Sequence, residues 1–348
     1  MSGKQIRRTF IIAAIAFVLL AFALWAAFYY NVHAPNVDLG EDEYVFFTIA
    51  EDQSYQEVVS ALEMEGFINN LTTFKRVAER KNYPSRLTPG RYRITDGMSN
   101  NQLVNMLRSG MQHPVRLTFN NIRTREELAS SISVQLQLDS ADIISVLNNT
   151  EDLAEFGMDS ITSKLLFIPD TYEVYWTITA DQLLERMIRE YQRFWNNGRL
   201  EKASSLGFSP LETGILASIV QSETNKREEM PRIAGVYINR LERGIPLQAD
   251  PTVIYALGDF GIRRVLNHHL TYDSPYNTYL YAGLPPGPIN LPEPIAIDAV
   301  LNYEEHNYLY FTARHDFSGY HVFAETYREH LRNARQYREA LNEMNIYR

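Results

Sequence analysis

The chain contains no cysteine. That absence excludes disulfide frameworks, thiolate metal sites and cysteine nucleophiles together, and it is compatible with either side of a membrane. A basic surplus is missing too. The formal net charge is -9 at pH 7, which leaves nothing to neutralise phosphates and excludes a general nucleic-acid binder. No internal repeats or low-complexity tracts interrupt the chain, and no second long apolar run follows the first. Metal-ligand motifs are likewise absent. His268-His269 invites such a reading, but adjacent side chains point in different directions and neither an H-E-x-x-H pattern nor a flanking carboxylate pair accompanies them. They read as solvated, and no metal or cofactor is expected.

What is present begins with a membrane signal. Lys4, Arg7 and Arg8 precede an uncharged apolar run over residues 10–30, which spans roughly 30 Å as a helix, the thickness of a bilayer core. Asp38, Glu41, Asp42 and Glu43 follow it, so the N-terminus is expected in the cytoplasm and the body outside. A cleaved signal peptide is the rival, with Ala21, Ala23 and Ala26 offering sites. Its apolar region would exceed the usual range of about 7–15 residues, and Trp25, Phe28, Tyr29 and Tyr30 form an interfacial aromatic belt, so the uncleaved anchor is favoured.

The 348 residues suffice for roughly two or three domains with a real core. A polar stretch over 31–43 with Pro35 and Gly40 reads as a linker. A strand over 44–49 follows, then a helix opened by the capping box Ser54-Tyr-Gln-Glu57 and closed by Gly66, a second helix over 73–80 and a strand over 90–94. A helix over 102–109, a strand over 115–119 and helices over 126–137 and 140–148, with Thr124 or Ser140 as caps, come next. Residues 180–195 carry the apolar stripe of a core helix. The C-terminal part reads as a helix over 294–302, strands over 308–313 and 320–323, and a last helix opened by Thr326-Tyr-Arg-Glu329 with Leu331, Ala334, Tyr337 and Leu341 facing inward.

The most informative stretch is Ser209-Pro-Leu-Glu212, a capping box with proline at the first helical position, and the apolar helix after it. Glu223 lies four residues beyond Ile219 and three beyond Val220, on their face rather than on a solvated one. Desolvation there would raise its pKa and let it donate a proton near neutral pH. The alternative is a frayed helix end with Glu223 in water. A second amphipathic helix covers 230–243, where Asn239 and Arg240 either lie on the surface or line a groove. Asp250-Pro251 reads as N-cap and N1 of a helix ending at Gly258, against a direct role for Asp250 in a site. Tyr276-Asn-Thr-Tyr279 supplies amides, hydroxyls and flat rings suited to saccharides, and Gly283-Leu-Pro-Pro-Gly-Pro-Ile289 is a stiff, donor-poor loop suited to walling a groove.

In this order, Ile168-Pro-Asp-Thr-Tyr172, Ile219-Val-Gln-Ser-Glu-Thr224, the helix from Arg232 to Leu241, Leu247-Gln-Ala-Asp-Pro-Thr-Val-Ile-Tyr255, Tyr276 to Tyr279 and the loop from Gly283 resemble the YceG-like family of endolytic murein transglycosylases. Gln221 departs from the acidic residue expected in many members, without disturbing Glu223. The resemblance implies an α+β fold in which a single transmembrane helix is followed by a small LysM-like βααβ module and a larger mixed α+β catalytic domain. The implied division is a cytoplasmic tail over 1–9, the anchor over 10–30, a linker over 31–43, the LysM-like module over 44–112, an intermediate subdomain over 113–160 and the catalytic domain over 161–348.

The resemblance further implies Glu223 as catalytic acid and Gln248, Asp250, Thr252, Tyr255, Tyr276, Asn277 and His321 as the substrate-binding set. The substrate would be peptidoglycan glycan strands, cut internally to leave 1,6-anhydro ends, with membrane-bound peptidoglycan synthases as partners. Two alternatives stay open: a hydrolysing muramidase with Asp250 as second carboxylate, and a non-catalytic wall-binding scaffold. The LysM resemblance implies glycan binding by that module, against a packing platform with no ligand of its own, and in the scaffold reading the module does the work.

Overall fold

A computed structural model describes residues 3–343; the first two residues of the expected cytoplasmic tail and the last five of the expected catalytic domain lie outside the described residues. The chain divides into two compact units. The first runs through Arg116 and includes Gln135–Gln137 and Glu173–Ile178. The second comprises Leu117–Val134, Leu138–Tyr172 and the chain from Thr179 onward.

The first unit opens with α1 (Gly3–His33). Its stretch Arg7–His33 is long and apolar enough to cross a membrane, with a mean hydropathy of 2.7 and an apolar segment none of which is buried within the protein. The helix does not stop at the aromatic belt: Val32 is buried in the core of the module that follows, the Arg80 guanidinium lies 4.5 Å from the Phe28 ring centre, and Asn100 Nδ2 donates to the Asn31 carbonyl at 2.9 Å. The expected linker is therefore structured. Asn36 is buried and bonds both Asn100 Oδ1 and the Asn70 carbonyl.

Strand β1 (Tyr44–Ile49), helices α2 (Tyr55–Glu65) and α3 (Leu71–Arg80) and strand β2 (Gly90–Thr95) follow in the expected order. The strands pair antiparallel, Tyr44 against Thr95 through Ile49 against Gly90. Ser54 and Glu57 form the predicted capping box and Gly66 closes α2 at φ 74°, a left-handed conformation that glycine adopts without steric cost. Alternation buries Phe47, Ile49, Tyr92 and Ile94 on one sheet face, where α2, α3 and α4 (Asn100–Ser109) supply Val58, Leu62, Phe74 and Leu103.

The chain then forms β3 (Val115–Thr118), α5 (Arg125–Ser133), α6 (Ser140–Leu147), α7 (Thr150–Ala154) and β4 (Thr171–Val174). Thr124 caps α5, which ends four residues before the predicted Gln137. Ser140 is the first helical residue of α6 rather than its cap, and Asp139 stands before it without a side-chain cap bond. In the second unit α8 (Ala180–Asn196), α9 (Arg199–Ser205), α10 (Pro210–Glu223), α11 (Met230–Glu242), α12 (Asp250–Leu257) and α13 (Pro294–Leu301) precede the hairpin of β5 (Tyr310–Ala313) and β6 (His321–Ala324) and the last helix α14 (Tyr327–Glu343).

Helix α10 is the centre of this unit. Every residue from Thr213 to Val220 is buried, so it is covered all round rather than along one stripe. Gly214 permits one of these approaches, since a Cβ there would stand 3.1 Å from Leu165 Cδ2. Helix α14 corrects the inward reading at Leu331 and leaves Ala334, Tyr337 and Leu341 only half-buried. None of its residues is buried, and Leu331 is 43% exposed. Its Thr326–Glu329 capping box is present, and the helix lies on the hairpin, with Tyr337 against Phe317 and His330 against Tyr310.

Candidate active site

Helix α10 starts as its capping box requires. Ser209 N donates to Glu212 Oε2 at 2.8 Å, Glu212 N returns a bond to Ser209 Oγ at 3.2 Å, and Pro210 takes the first helical position. The helix ends at Glu223, and Thr224 is already extended at φ -148°. Both halves of the sequence reading thus meet. Glu223 does occupy the last helical position, yet it faces a cavity of about 500 Å³ lined also by Tyr237, Arg240, Gln248, Asp250, Tyr279, Phe311 and His321.

Tyr237 comes from α11, three residues before Arg240, so both project to one side of that helix. Its hydroxyl donates to Glu223 Oε1 at 2.5 Å. Burial pushes the Glu223 carboxyl up to about 7 from the ordinary 4.5; the Tyr237 bond opposes this, Asp250 reinforces it and Arg240 opposes it. Glu223 keeps an opening onto the cavity while dense protein surrounds the rest of its carboxyl, which is why desolvation prevails over hydrogen bonding. Burial and the Glu223 charge also hold the Tyr237 hydroxyl protonated, well above its usual range. Near neutral pH the pair can therefore present a protonated carboxylic acid to a bound ligand.

Arg240 is 7% exposed and donates through Nε to the Leu309 carbonyl at 2.6 Å and through Nη1 to the carbonyls of Pro246 and Leu247 at 3.0 and 2.8 Å. Of the two residues left open by the sequence, Arg240 lines the cavity. Asn239 instead holds the carbonyls of His306 and Tyr308. Gln248 receives a further bond from Arg240 Nη1 at 3.3 Å and sits at φ 51°, a left-handed conformation that costs a non-glycine residue free energy and persists where surrounding contacts over-determine it. Those contacts are the Gln248 N–H to Thr278 O and the Ala249 N–H to Thr278 Oγ1, both at 3.0 Å.

The N-cap reading of Asp250 is corrected. Ala249 occupies the cap position without a side-chain bond, and Asp250 is the first helical residue. Its carboxylate accepts from the Tyr279 hydroxyl at 2.6 Å, beside the cavity. His321 also borders the cavity, and its Nδ1 lies 2.9 Å from Oε2 of the buried Glu229, which further accepts the His321 N–H.

Four of the expected substrate-binding residues, Thr252, Tyr255, Tyr276 and Asn277, are placed apart from this cavity. Thr252 is fully buried, bonded to the Ala249 carbonyl and paired with Thr278. Asn277 is buried as well: its amide donates to the carbonyls of Leu270 and Tyr272 and accepts the Tyr279 N–H, so it shapes the loop that carries Tyr279. The Tyr276 ring packs tilted against Tyr255, with ring centres 4.8 Å apart, and Tyr255 lines a second cavity, of about 560 Å³, on the other flank of the helix end.

The proline-rich loop runs against α10. Ile289 N donates to Ser218 Oγ at 3.1 Å, Asn290 Nδ2 to Ser218 O and Ser222 Oγ, and Glu293 N to Gln221 Oε1 at 2.7 Å. Gln221 is thus a tie between helix and loop. Gly287 is required, because a Cβ would meet Ile161 Cγ2 at 2.7 Å and the Tyr276 hydroxyl at 2.9 Å.

Sequence reasoning offers Tyr279 only as part of the Tyr276–Tyr279 stretch, and does not single out Tyr237 or Glu229 as site residues. Tyr237 shares the apolar face of the 230–243 helix with Ile233 and Val236, and the available signal is the Tyr237–Arg240 spacing, which puts two polar tips on that face.

The chain is similar to several known proteins. Over 341 residues the sequence is 29% identical to the endolytic murein transglycosylase of Streptococcus pneumoniae R6, covering 86% of this chain and 60% of that protein. Over 316 residues it is 27% identical to the endolytic murein transglycosylase of Bacillus subtilis, covering 86% of each. The chain therefore spans about 60% of the streptococcal relative's length. A 2.6 Å crystal structure from Listeria monocytogenes, described as a yceG-like protein, superposes with a TM-score of 0.54 at 27% identity, covering 84% of this chain and 99% of that one. The sequence pattern of the YceG-like family matches residues 47–336, and this chain belongs to the YceG-like family.

Proposed function

We propose that the protein is an endolytic peptidoglycan lytic transglycosylase in which Glu223 acts as the single acid and base. The observation that carries this reading is the Glu223 carboxyl, raised to about 7 and held by the Tyr237 hydroxyl at the edge of a cavity. Ordinary glycoside hydrolysis uses two carboxylates flanking the scissile bond. Lytic cleavage needs one. Protonated Glu223 gives its proton to the glycosidic oxygen as the C1–O bond breaks and an oxocarbenium-like centre forms. The muramic C6 hydroxyl then attacks C1, its proton passes to the Glu223 carboxylate, and a 1,6-anhydro end is released with no water consumed. Gln248, Asp250, Tyr279 and His321 border the same cavity and would orient the strand and stabilise developing positive charge.

In this proposal residues 10–30 anchor the enzyme in the cell membrane with the N-terminus cytoplasmic, the βααβ unit is the LysM-like module of 44–112, and the catalytic domain covers 161–348. Cutting nascent strands beside membrane-bound synthases would terminate their elongation. The test is a digest of purified strands by wild type and Glu223→Gln, with products weighed. Anhydro-ended internal fragments from wild type alone support the proposal. Reducing ends would make the enzyme a muramidase with Asp250 as second carboxylate, and binding without cleavage of nascent strands would make it a scaffold.

A further inference from the structure

We propose that the second cavity binds the anionic stem peptides of the strand, with Arg123 and Arg227 receiving their carboxylates. This rests on the proposed action on peptidoglycan and assigns a role to a part of the molecule that the cleavage chemistry leaves unused. The cavity is bordered by Gln221, Ser222 and Thr224, the residues that bracket Glu223 in the chain, and by Pro251, which follows Asp250. A strand cut internally continues on both sides of the broken bond, and this cavity lies where one continuation would run.

Sugar hydroxyls and acetamido groups carry no charge; the fixed negative charges of a peptide-bearing strand are the carboxylates of its stems. Arg123 matches them. It is exposed at the cavity, and among the described residues no carboxylate forms an ion pair with its guanidinium, which lies 4.8 Å from the Phe260 ring centre. Its backbone is held from three sides. The Arg123 N–H donates to Glu127 Oε2 at 2.7 Å, its carbonyl accepts from Lys164 Nζ at 2.5 Å, and the preceding Ile122 carbonyl accepts the Leu291 N–H at 2.7 Å. Lys164 is 1% exposed, and burying an ammonium costs free energy unless it is paired. A buried lysine devoted to the carbonyl of an exposed arginine fixes that arginine in place. Arg227 also borders the cavity and meets Glu293 at 3.7 Å, a loose, exposed pair that a carboxylate ligand can displace.

The test uses the whole chain in detergent micelles, with Glu223→Gln to hold strands uncut. It is titrated with soluble strands bearing intact stems and with the same strands whose stem carboxylates have been converted to carboxamides, which removes their charge without exposing the lactyl carboxylate that stripping the stems would leave. The parent is expected to prefer the strand with free carboxylates. Arg123→Gln is expected to reduce that preference, taken as the ratio of the two Kd values, roughly tenfold, the worth of one charge-assisted hydrogen bond. Arg227→Gln should reduce it less, and Arg123→Lys should restore part of it. Melting temperatures identify the folded variants, and both arginines are exposed. A parent without preference, or a preference that survives both glutamine substitutions, overturns the proposal. Because the readout is binding, failure of wild type to cleave would count against the catalytic reading alone.

Discussion

Replacing Tyr237 with Phe tests the chemistry of the site most directly. The Tyr237 hydroxyl bonds Glu223 Oε1 at 2.5 Å and stabilises the ionised carboxylate, holding its pKa down to about 7 against desolvation. A hydrogen bond to a charged group contributes about 1.5–3 kcal/mol, and one pKa unit corresponds to about 1.4 kcal/mol. Removing the hydroxyl should therefore raise the Glu223 pKa by roughly one to two units, because desolvation and Asp250 then act against less opposition. The first step needs protonated Glu223, so kcat/KM should be level at low pH and fall as pH rises through its pKa. In wild type the fall is expected near pH 7; in Tyr237→Phe it should move to roughly pH 8–9. The assay is the pH profile of kcat/KM on peptidoglycan strands, with kcat followed separately because the later step needs the carboxylate form. An unmoved fall, or one displaced toward acid, would refute the assignment of Glu223 as an acid tuned by burial against Tyr237.

Four further outcomes follow from the same contacts. Because the Glu223 pKa rises from 4.5 to about 7 on folding, its contribution to stability is intact below pH 4.5 and lost as pH rises to 7; Glu223→Gln should therefore gain up to about 3 kcal/mol over wild type between those limits, read by denaturant unfolding. Arg240→Leu leaves the carbonyls of Leu309, Pro246 and Leu247 without that donor and should destabilise by about 3 kcal/mol, visible as a lowered melting temperature with lost activity. Gly235→Ala places a Cβ 2.4 Å from the Glu304 carbonyl oxygen, and the shift of α11 that follows should cost about 1–3 kcal/mol by the same measurement. Burial lowers the Lys164 pKa from 10.5 to about 7, so wild-type stability should grow as pH rises from 7 toward 10.5. Lys164→Met should lack that slope, and the gap between the two proteins should shift in favour of wild type by about 2 kcal/mol from pH 7 to 9.

Local chemistry wrote most of the elements into the sequence. Ser54, Thr124, Thr179 and Ser209 each accept the N–H bond that begins a helix, and a cap acts within one turn, where neighbours along the chain suffice. The apolar run of α1, the alternation of β1 and β2 and the position of Glu223 beyond Val220 are legible for the same reason. On α14 the apolar stripe is covered only in part, with Leu331 exposed, because a stripe states what a helix can bury and not how far a partner covers it. Asp250 looked like a cap because Asp-Pro is a local signal, but the Tyr279 hydroxyl, brought from 29 residues away, claims its carboxylate. Asn277 looked like a sugar ligand because amides suit sugars; its burial on a tight loop spends those bonds on backbone. The Glu223–Tyr237 pair joins two helices, the Arg240 bonds reach β5's approach at Leu309, and desolvation depends on everything packed around a carboxyl at once. Residue type and spacing thus singled out Glu223 as the candidate acid, while only the tertiary structure decided how it is held, because burial and long-range hydrogen bonds are properties of the packed chain.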